Sequence, residues 1–260
     1  MAFLEMKFFS EVLGVGSSIN VILPDISREL MDKKVKFQTV YLLHGLSDDH
    51  TAWVRRTSVE RYAQDNLTAV VMPAADHSYY CNMVYGKDYW TYISEEVINV
   101  SRYYFPLSEK REDTFAAGLS MGGYGSFKLG LLMTDTFCEA ASFSGALVME
   151  DLFQKFKGDT KRDKMYFNIF GGKSGKNTKD DLIYNIKNFS AENKKNTRFY
   201  QCCGTEDFLY DINAEFKKTA NEYGLNLTYE ESSGTHEWGY WDKSIKRAFE
   251  WFSLKRNVVK

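Results

Sequence analysis

The chain has 260 residues, of which 44% are hydrophobic and 26% charged, and its formal net charge is −2. This length accommodates one α/β domain or two small ones and is ample for a sizeable core, and the composition excludes a disordered chain, a collagen-like chain and a simple coiled coil. Positive and negative side chains are interspersed, so a nucleic-acid partner is not expected. Aromatic residues reach 16%, which indicates either a bulky core or a binding surface.

The N-terminal residues and the cysteines bear on the compartment. The first residues include Glu5, Lys7 and Glu11 and lack a basic region followed by an apolar one. No apolar run approaches the roughly 18–20 residues that cross a bilayer, so no membrane partner is expected. The four cysteines do not have zinc-ligand spacing and are expected to be reduced. The sequence therefore predicts a cytoplasmic protein.

Strand and helix patterns alternate along most of the chain. This alternation predicts an α/β fold with a mostly parallel central sheet and helices on both faces, and the first two strands add an antiparallel N-terminal edge. The predicted strands are 7–13, 18–23, 37–43, 67–72, 113–117, 138–143, 198–203 and 225–230. The predicted helices are 57–64, 89–104, 124–133, 212–223 and 241–254.

The segment 145–195 interrupts this alternation. It is charged, rich in Gly, Lys and Asn, and has no clear core strand. Helices are expected near 148–156 and 179–188. Because a long connection inside an α/β domain is usually functional, we expect 145–195 to be a lid-like insertion over the active site of a single domain spanning 1–260.

The sequence Gly118-Leu119-Ser120-Met121-Gly122 matches G-x-S-x-G. The pattern alone is weak, but an apolar strand enters it and a helix pattern leaves it. That is the setting of a nucleophile elbow, in which flanking glycines let strand and helix pass closely and the serine hydroxyl is exposed. The alternative is an ordinary turn with a serine at the helix start. The sequence predicts Ser120 as a nucleophile.

A serine nucleophile requires a base and an orienting carboxylate. His236 is the one histidine that follows Ser120, and it lies between the last strand and the last helix, as the order Ser…Asp/Glu…His requires. Asp207, after the strand 198–203, is the expected acid, with Glu206 and Asp211 as alternatives. The predicted catalytic residues are Ser120, Asp207 and His236.

The oxyanion of a tetrahedral intermediate requires hydrogen-bond donors. The residue after the nucleophile, Met121, offers one backbone N–H. The loop after the strand 37–43 reads His44-Gly45-Leu46 and offers a second. We expect Leu46 to supply it, with Gly45 as the alternative.

Longer segments share an order and spacing that are more specific than the serine motif. They are YLLHGLSDDHTAW, VVMPAADHSYY, DYWTYISEEV, AAGLSMGGYGSFKLG, GTEDFL and THEWGYWDKSI. Together they resemble the esterase D group of α/β-hydrolases, and within it most closely the bacterial tributyrin esterases. The resemblance implies the α/β-hydrolase fold, the triad of Ser120, Asp207 and His236, and an oxyanion hole from the Leu46 and Met121 amides.

The expected activity is a serine carboxylesterase for short-chain acyl esters, including acylated carbohydrates, without a metal or organic cofactor. The alternatives are a thioesterase of the S-formylglutathione hydrolase type, a feruloyl esterase, an acyltransferase, and a non-catalytic binding module with a hydrolase fold. A small ester is the expected partner, and exposed aromatic residues make a homo-oligomer plausible.

Several aromatic residues flank the segments that carry these motifs. Tyr79, Tyr80, Trp90 and Trp238 are therefore the candidate lining of an acyl or sugar pocket, and Tyr240 also flanks these segments. For Trp90, and also for Trp241, simple packing of helix against sheet is the favoured expectation.

Overall fold

The computed structural model describes residues 1–173, 175–190 and 196–256. Eight strands in this part of the chain form one sheet. They are β1 (Ala2–Ser10), β2 (Val15–Leu23), β3 (Gln38–Leu43), β4 (Thr68–Pro73), β5 (Thr114–Leu119), β6 (Glu139–Phe143), β7 (Arg198–Gly204) and β8 (Leu227–Ser232). Each predicted strand is present. The ends of most shift by no more than three residues, whereas the first strand begins five residues earlier and ends three residues earlier than predicted.

The sheet has the strand order β1-β2-β4-β3-β5-β6-β7-β8. β1 pairs antiparallel with β2, and β2 antiparallel with β4, whereas the other neighbours are parallel. The predicted sheet with an antiparallel N-terminal edge is therefore confirmed. Because its central strands are covered on both faces, β3, β4, β5 and β6 are buried along their whole length.

The two faces of the sheet bury separate hydrophobic clusters. Along β3, Tyr41 and Leu43 belong to one cluster, and Val40 and Leu42 to the other, as the period of two in a strand requires. The helices that contribute to these clusters lie on opposite faces, which confirms the predicted layers.

Most predicted helices are present. The helices that match predictions are Val59–Asp65, Tyr89–Thr91 continuing through a π-helical turn at Tyr92–Glu96 into Val97–Tyr104, Met121–Leu132, Met149–Lys155, Leu182–Asn188, Tyr210–Glu222 and Trp238–Trp251. The last begins three residues earlier than predicted because the Glu237 side chain caps it, accepting hydrogen bonds from the Gly239 and Tyr240 amides. The Met121–Leu132 helix is named the nucleophile helix below.

Three α-helices in the described residues were not predicted: Arg28–Asp32, Ala52–Arg56 and Thr160–Phe170. The first two have five residues each, too few for a hydrophobic period to show. Thr160–Phe170 has four charged side chains near its start, but Tyr166, Ile169 and Phe170 are buried and hold it in place. Its start is fixed by Asp159, whose side chain accepts hydrogen bonds from two backbone amides.

The connection between β6 and β7, called the β6–β7 segment below, therefore holds three helices in its described residues rather than the two expected. Residues 174 and 191–195 of the predicted insertion lie outside the described residues. Lys128 on the nucleophile helix is fully buried and forms an ion pair with Asp180 at 2.5 Å. This pair attaches the segment to the nucleophile helix, and the lid-like movement of the segment stays a prediction.

None of the helices in the described ranges combines the length and apolar character needed to span a bilayer.

Candidate active site

Ser120 lies between β5 and the nucleophile helix in a backbone conformation that is rare for any residue but glycine. Its φ is 53° and its ψ is −116°. Three hydrogen bonds hold this strained turn: the Ser120 amide donates to the Phe143 carbonyl at 2.9 Å, and the Ser120 carbonyl accepts from Tyr124 and Ala146 at 3.1 Å each. The surrounding backbone thus overdetermines the strained conformation, as is typical of functional sites.

Two glycines flank the turn because no side chain fits there. A Cβ atom on Gly118 would lie 2.3 Å from the Gly122 carbonyl oxygen, and one on Gly122 would lie 2.3 Å from the Leu43 carbonyl oxygen. Both distances are far shorter than non-bonded contact. The backbone of β5, the start of the nucleophile helix and the end of β3 therefore meet at this turn, as the nucleophile-elbow pattern predicted.

The structure brings Ser120, His236 and Asp207 together, although they come from three separate loops. His236 Nε2 lies 3.1 Å from Ser120 Oγ, and His236 Nδ1 lies 2.9 and 3.1 Å from the two carboxylate oxygens of Asp207. This geometry corresponds to a proton on Nδ1 that is donated to Asp207, which leaves Nε2 free to accept the Ser120 proton. The arrangement can activate a serine hydroxyl.

The two alternative acids lie elsewhere. The Asp207 side chain is fully buried and also accepts a hydrogen bond from the Leu209 amide at 2.8 Å. Asp211 is exposed in the first turn of the Tyr210–Glu222 helix. Glu206 accepts the Gly234 amide at 2.6 Å, and its own amide donates to the Gly234 carbonyl at 3.1 Å. Glu206 therefore joins the acid loop to the histidine loop, a contact that sequence reasoning missed.

The loop after β3 places Leu46 at the same cleft as Ser120 and His236. Met121 is the first residue of the nucleophile helix, and the first amides of a helix have no partner within the helix. The positive end of the helix dipole also lies there, where it favours negative charge. Gly45 lines the cleft as well, and its backbone amide hydrogen-bonds the Asp48 carboxylate.

His44 fixes this loop from beneath. The ring is buried, with Nδ1 2.7 Å from the Gly45 carbonyl oxygen and Nε2 accepting the Ala75 amide at 3.0 Å. These two contacts require a neutral ring with its proton on Nδ1. Burial lowers the pKa of His44 to about 4. The Tyr80 hydroxyl donates to the His44 carbonyl at 2.8 Å, so the sequence signal His44-Gly45 marks a loop held on several sides.

A cleft of about 430 Å³ opens above Ser120. Its walls come from the sheet edge and from the β6–β7 segment. The apolar side chains that line it are Leu46, Tyr79, Leu119, Ala146, Leu152, Phe156, Phe208, Leu209, Trp238 and Trp241. Phe208 and Trp241 flank the His236 ring, with centroids 4.5 and 4.8 Å from it. The cleft suits a small acyl compound.

The structure separates the candidate pocket aromatics into two groups. Tyr79 and Trp238 line the cleft as expected. Tyr80, Trp90 and Tyr240 do not: Tyr80 supports the His44 loop, Trp90 packs against Lys128 with its ring 4.5 Å from Nζ, and Tyr240 packs beneath Gly234. Sequence position alone does not separate the two groups, because adjacent residues such as Tyr79 and Tyr80 direct their side chains to different sides of the backbone.

For two tryptophans, packing was the favoured expectation. It holds for Trp90, which is 8% exposed. Trp241 packs beneath the sheet edge, where its Nε1 donates to Ser144 Oγ at 3.1 Å, but it also lines the cleft beside His236. The expectation of packing alone was therefore incomplete for Trp241.

The sheet topology, the strained serine turn and the apolar cleft define a serine hydrolase of the α/β-hydrolase fold. The model of the Esterase family, described as "Putative esterase", matches residues 10–252. The chain therefore belongs to this family and is a carboxylic ester hydrolase.

Several known proteins are similar over nearly the whole chain. The acetyl esterase of Caldicellulosiruptor saccharolyticus is 29% identical over 262 residues, covering 97% of this chain and 98% of that protein. The fluorophosphonate-binding serine hydrolase FphF of Staphylococcus aureus, solved with substrate bound, is 36% identical with a TM-score of 0.88. The S-formylglutathione hydrolase FrmB of the same organism is 38% identical with a TM-score of 0.85. Both structures cover 96% of this chain and 98% of their own.

Proposed function

We propose that this serine esterase hydrolyses short-chain acyl esters through a triad of Ser120, His236 and Asp207. The observation that carries the proposal is the position of His236, within hydrogen-bond distance of Ser120 Oγ through Nε2 and of Asp207 through Nδ1. Asp207 holds the imidazole in the tautomer that accepts a proton and stabilises the imidazolium that forms.

In the proposed reaction, His236 takes the Ser120 proton while the hydroxyl oxygen attacks the ester carbonyl. The tetrahedral intermediate collapses, His236 protonates the departing alcohol, and an acyl group stays on Ser120. His236 then takes a proton from water, whose oxygen attacks the acyl-enzyme carbonyl. When this second intermediate collapses, the bond to Ser120 Oγ breaks, His236 returns the proton to Ser120 Oγ, and the acid is released.

The amides of Leu46 and Met121 are the proposed donors to the oxyanion. Two observations support this choice. Leu46 and Ser120 line the same cleft, and Met121 begins the nucleophile helix, where its amide has no partner within the helix. Leu46 is preferred over Gly45 because the Gly45 amide already hydrogen-bonds the Asp48 carboxylate.

Short acyl esters are the proposed substrates, including tributyrin and acetylated carbohydrates. The small cleft and the likeness to an acetyl esterase support this class. The test is a series of p-nitrophenyl esters of increasing acyl length, run with the wild type and Ser120→Ala. We expect kcat/KM to be highest for short acyl chains and Ser120→Ala to lose about 10⁶-fold in kcat. Hydrolysis that persists in Ser120→Ala would overturn the triad proposal.

Thioester hydrolysis is the second candidate, because the S-formylglutathione hydrolase FrmB is 38% identical to this chain. The same triad serves both reactions, so turnover has to distinguish them. Comparing kcat/KM for S-formylglutathione with that for the best p-nitrophenyl ester decides between them. A feruloylated saccharide in the same assay tests the feruloyl alternative, and product analysis with an added acceptor alcohol tests acyl transfer.

A cytoplasmic location and self-association are also proposed. The four cysteines are all free and buried, which fits a reducing compartment. Exposed aromatic side chains, such as Tyr103 (82% exposed) and Tyr104 (61%), offer surface for a second copy of the chain. Cell fractionation tests the first proposal. Light scattering of the purified protein tests the second, and a monomer at all concentrations would contradict it.

A further inference from the structure

Arg162 is the one lysine or arginine among the cleft-lining residues that the structure describes. It lies in the first turn of the Thr160–Phe170 helix, and its guanidinium carbon is 3.6 Å from the centroid of the Phe156 ring. A third of the side chain is exposed. Arginine is suited to bind carboxylates because its planar group presents several donors at once.

The nearest acidic side chain does not hydrogen-bond this guanidinium. Asp159 Oδ2 lies 3.7 Å from Arg162 Nε, longer than a hydrogen bond, and Asp159 Oδ1 accepts the amides of Lys161 and Arg162. The other acids that line the cleft are also engaged by backbone: Glu237 accepts two amides of its own helix, and Asp48 accepts the Gly45 amide. Neither is an ion-pair partner of Arg162 in the described structure.

A row of aromatic rings connects the proposed general acid to Arg162. The His236 ring is 4.5 Å from Phe208, Phe208 is 6.0 Å from Phe156, and Phe156 supports Arg162. His236 has to reach the departing oxygen or sulfur to protonate it, so the leaving group lies beside His236. The wall that runs from His236 towards Arg162 therefore receives the leaving group.

We propose that Arg162 selects esters or thioesters whose leaving group carries a carboxylate several bonds from the scissile atom. The hydrocarbon part of that group packs along Phe208 and Phe156, and its carboxylate pairs with the Arg162 guanidinium. This inference rests on the proposed esterase function and specifies its leaving-group side. Arg162 determines specificity and takes no part in the bond-breaking steps.

The test compares substrates that differ only in charge. One pair has the charge on the leaving group: ω-acetoxyhexanoate and its neutral amide, ω-acetoxyhexanamide. The other has it on the acyl group: monomethyl adipate and its neutral amide, methyl adipamate. For the wild type we expect kcat/KM to be about tenfold higher for the first anion than for its amide, the size expected of one hydrogen-bonded charge pair. No such preference is expected in the second pair.

Three variants assign the preference to Arg162. Arg162→Met keeps most of the side-chain length without the charge, and its anion-to-amide ratio should fall to about one-tenth of the wild-type ratio. Arg162→Lys should keep part of the preference. Arg61→Met removes an exposed arginine that lies 5.5 Å from the Tyr62 ring outside the cleft, and it should leave the ratio unchanged.

The outcomes separate the two proposals. If the wild type hydrolyses neither the anions nor the amides, the esterase function is wrong for this substrate class. If the amides are hydrolysed but the ratio is the same in wild type and Arg162→Met, the function stands and the role of Arg162 is wrong. A preference in the acyl-side pair that Arg162→Met abolishes would also overturn the assignment to the leaving group.

Discussion

At the carboxyl edge of the sheet, the turn that carries Ser120 is held by backbone contacts, whereas on the β6–β7 segment the cleft residues are held by side-chain contacts. Ser120 is fixed by three backbone hydrogen bonds and by glycines that tolerate no Cβ atom. Leu152 and Arg162 instead lie on helices joined by ring contacts, such as Phe153 with Tyr166 at 4.3 Å, and Phe156 directly follows the first of these helices.

This difference separates two tasks. Because the backbone at the sheet edge is fixed, it can hold the reacting atoms within a few tenths of an ångström of the positions that transition-state stabilisation requires. Side chains on the helices of the β6–β7 segment can be substituted without moving that backbone. We therefore expect substitutions at the edge to change kcat, and those on the segment to change stability or substrate preference.

After the loss of Ser120 itself, the largest effect is expected at the carboxylate behind His236. Asp207→Asn keeps the shape but favours the wrong imidazole tautomer, and it should lower kcat by about 10⁴-fold while the fold is retained. The control is Glu206→Gln, which weakens the contact to Gly234 but leaves the triad intact. Its kcat should fall by about tenfold or less. Equal losses in both variants, measured with one p-nitrophenyl ester, would mean that Asp207 is not the triad acid.

The attachment of the β6–β7 segment is tested next. Lys128→Met leaves Asp180 without its partner in a poorly hydrated site, and the free energy of unfolding should fall by about 3–5 kcal/mol. Lys33→Met removes the exposed partner of Glu29 and should change the free energy of unfolding by about 0.5 kcal/mol or less. Urea unfolding measures both. A change for Lys128→Met as small as that for Lys33→Met would show that the pair does not hold the segment.

The loop that carries Leu46, a proposed oxyanion donor, should make the stability of the protein depend on pH. Because the folded-state pKa of His44 is about 4, below its ordinary value of 6.5, the unfolded chain binds this proton first as the pH falls. His44 therefore makes unfolding easier between about pH 6.5 and pH 4.

Urea unfolding at neutral pH and near pH 4.5 measures this contribution. The loss of unfolding free energy on acidification should be about 2–3 kcal/mol smaller in His44→Gln than in the wild type. The other three histidines are the same in both proteins and cancel from this difference. An identical loss in both proteins would contradict the assigned tautomer and its partners.

The smallest effect is expected on the segment side of the cleft. Phe156→Leu removes a ring that packs near Phe208 and supports Arg162, without touching the triad. KM for esters with bulky leaving groups should rise about two- to tenfold, the size of one aromatic contact, with kcat little changed. A loss confined to kcat would place Phe156 with the reacting groups instead of with the substrate walls.

The sequence predicts the residues at the sheet edge better than those on the β6–β7 segment. Ser120 and His236 could be located because local rules constrain them: a strand–turn–helix around G-x-S-x-G, and a single histidine after the nucleophile. The Thr160–Phe170 helix was missed because charged residues dominate its start and its burial depends on distant elements. For the same reason the Lys128–Asp180 pair and the position of Arg162 could not be predicted from residues far apart in the chain.

The central claim is that Ser120 carries the acyl group during turnover. Its most direct test is mass spectrometry of protein that is mixed with p-nitrophenyl acetate, quenched in acid during turnover and digested. We predict an acetyl group on the peptide that contains Ser120, and its absence when Ser120→Ala is treated in the same way. An acetyl group on another residue, formed and lost at the rate of turnover, would contradict the account.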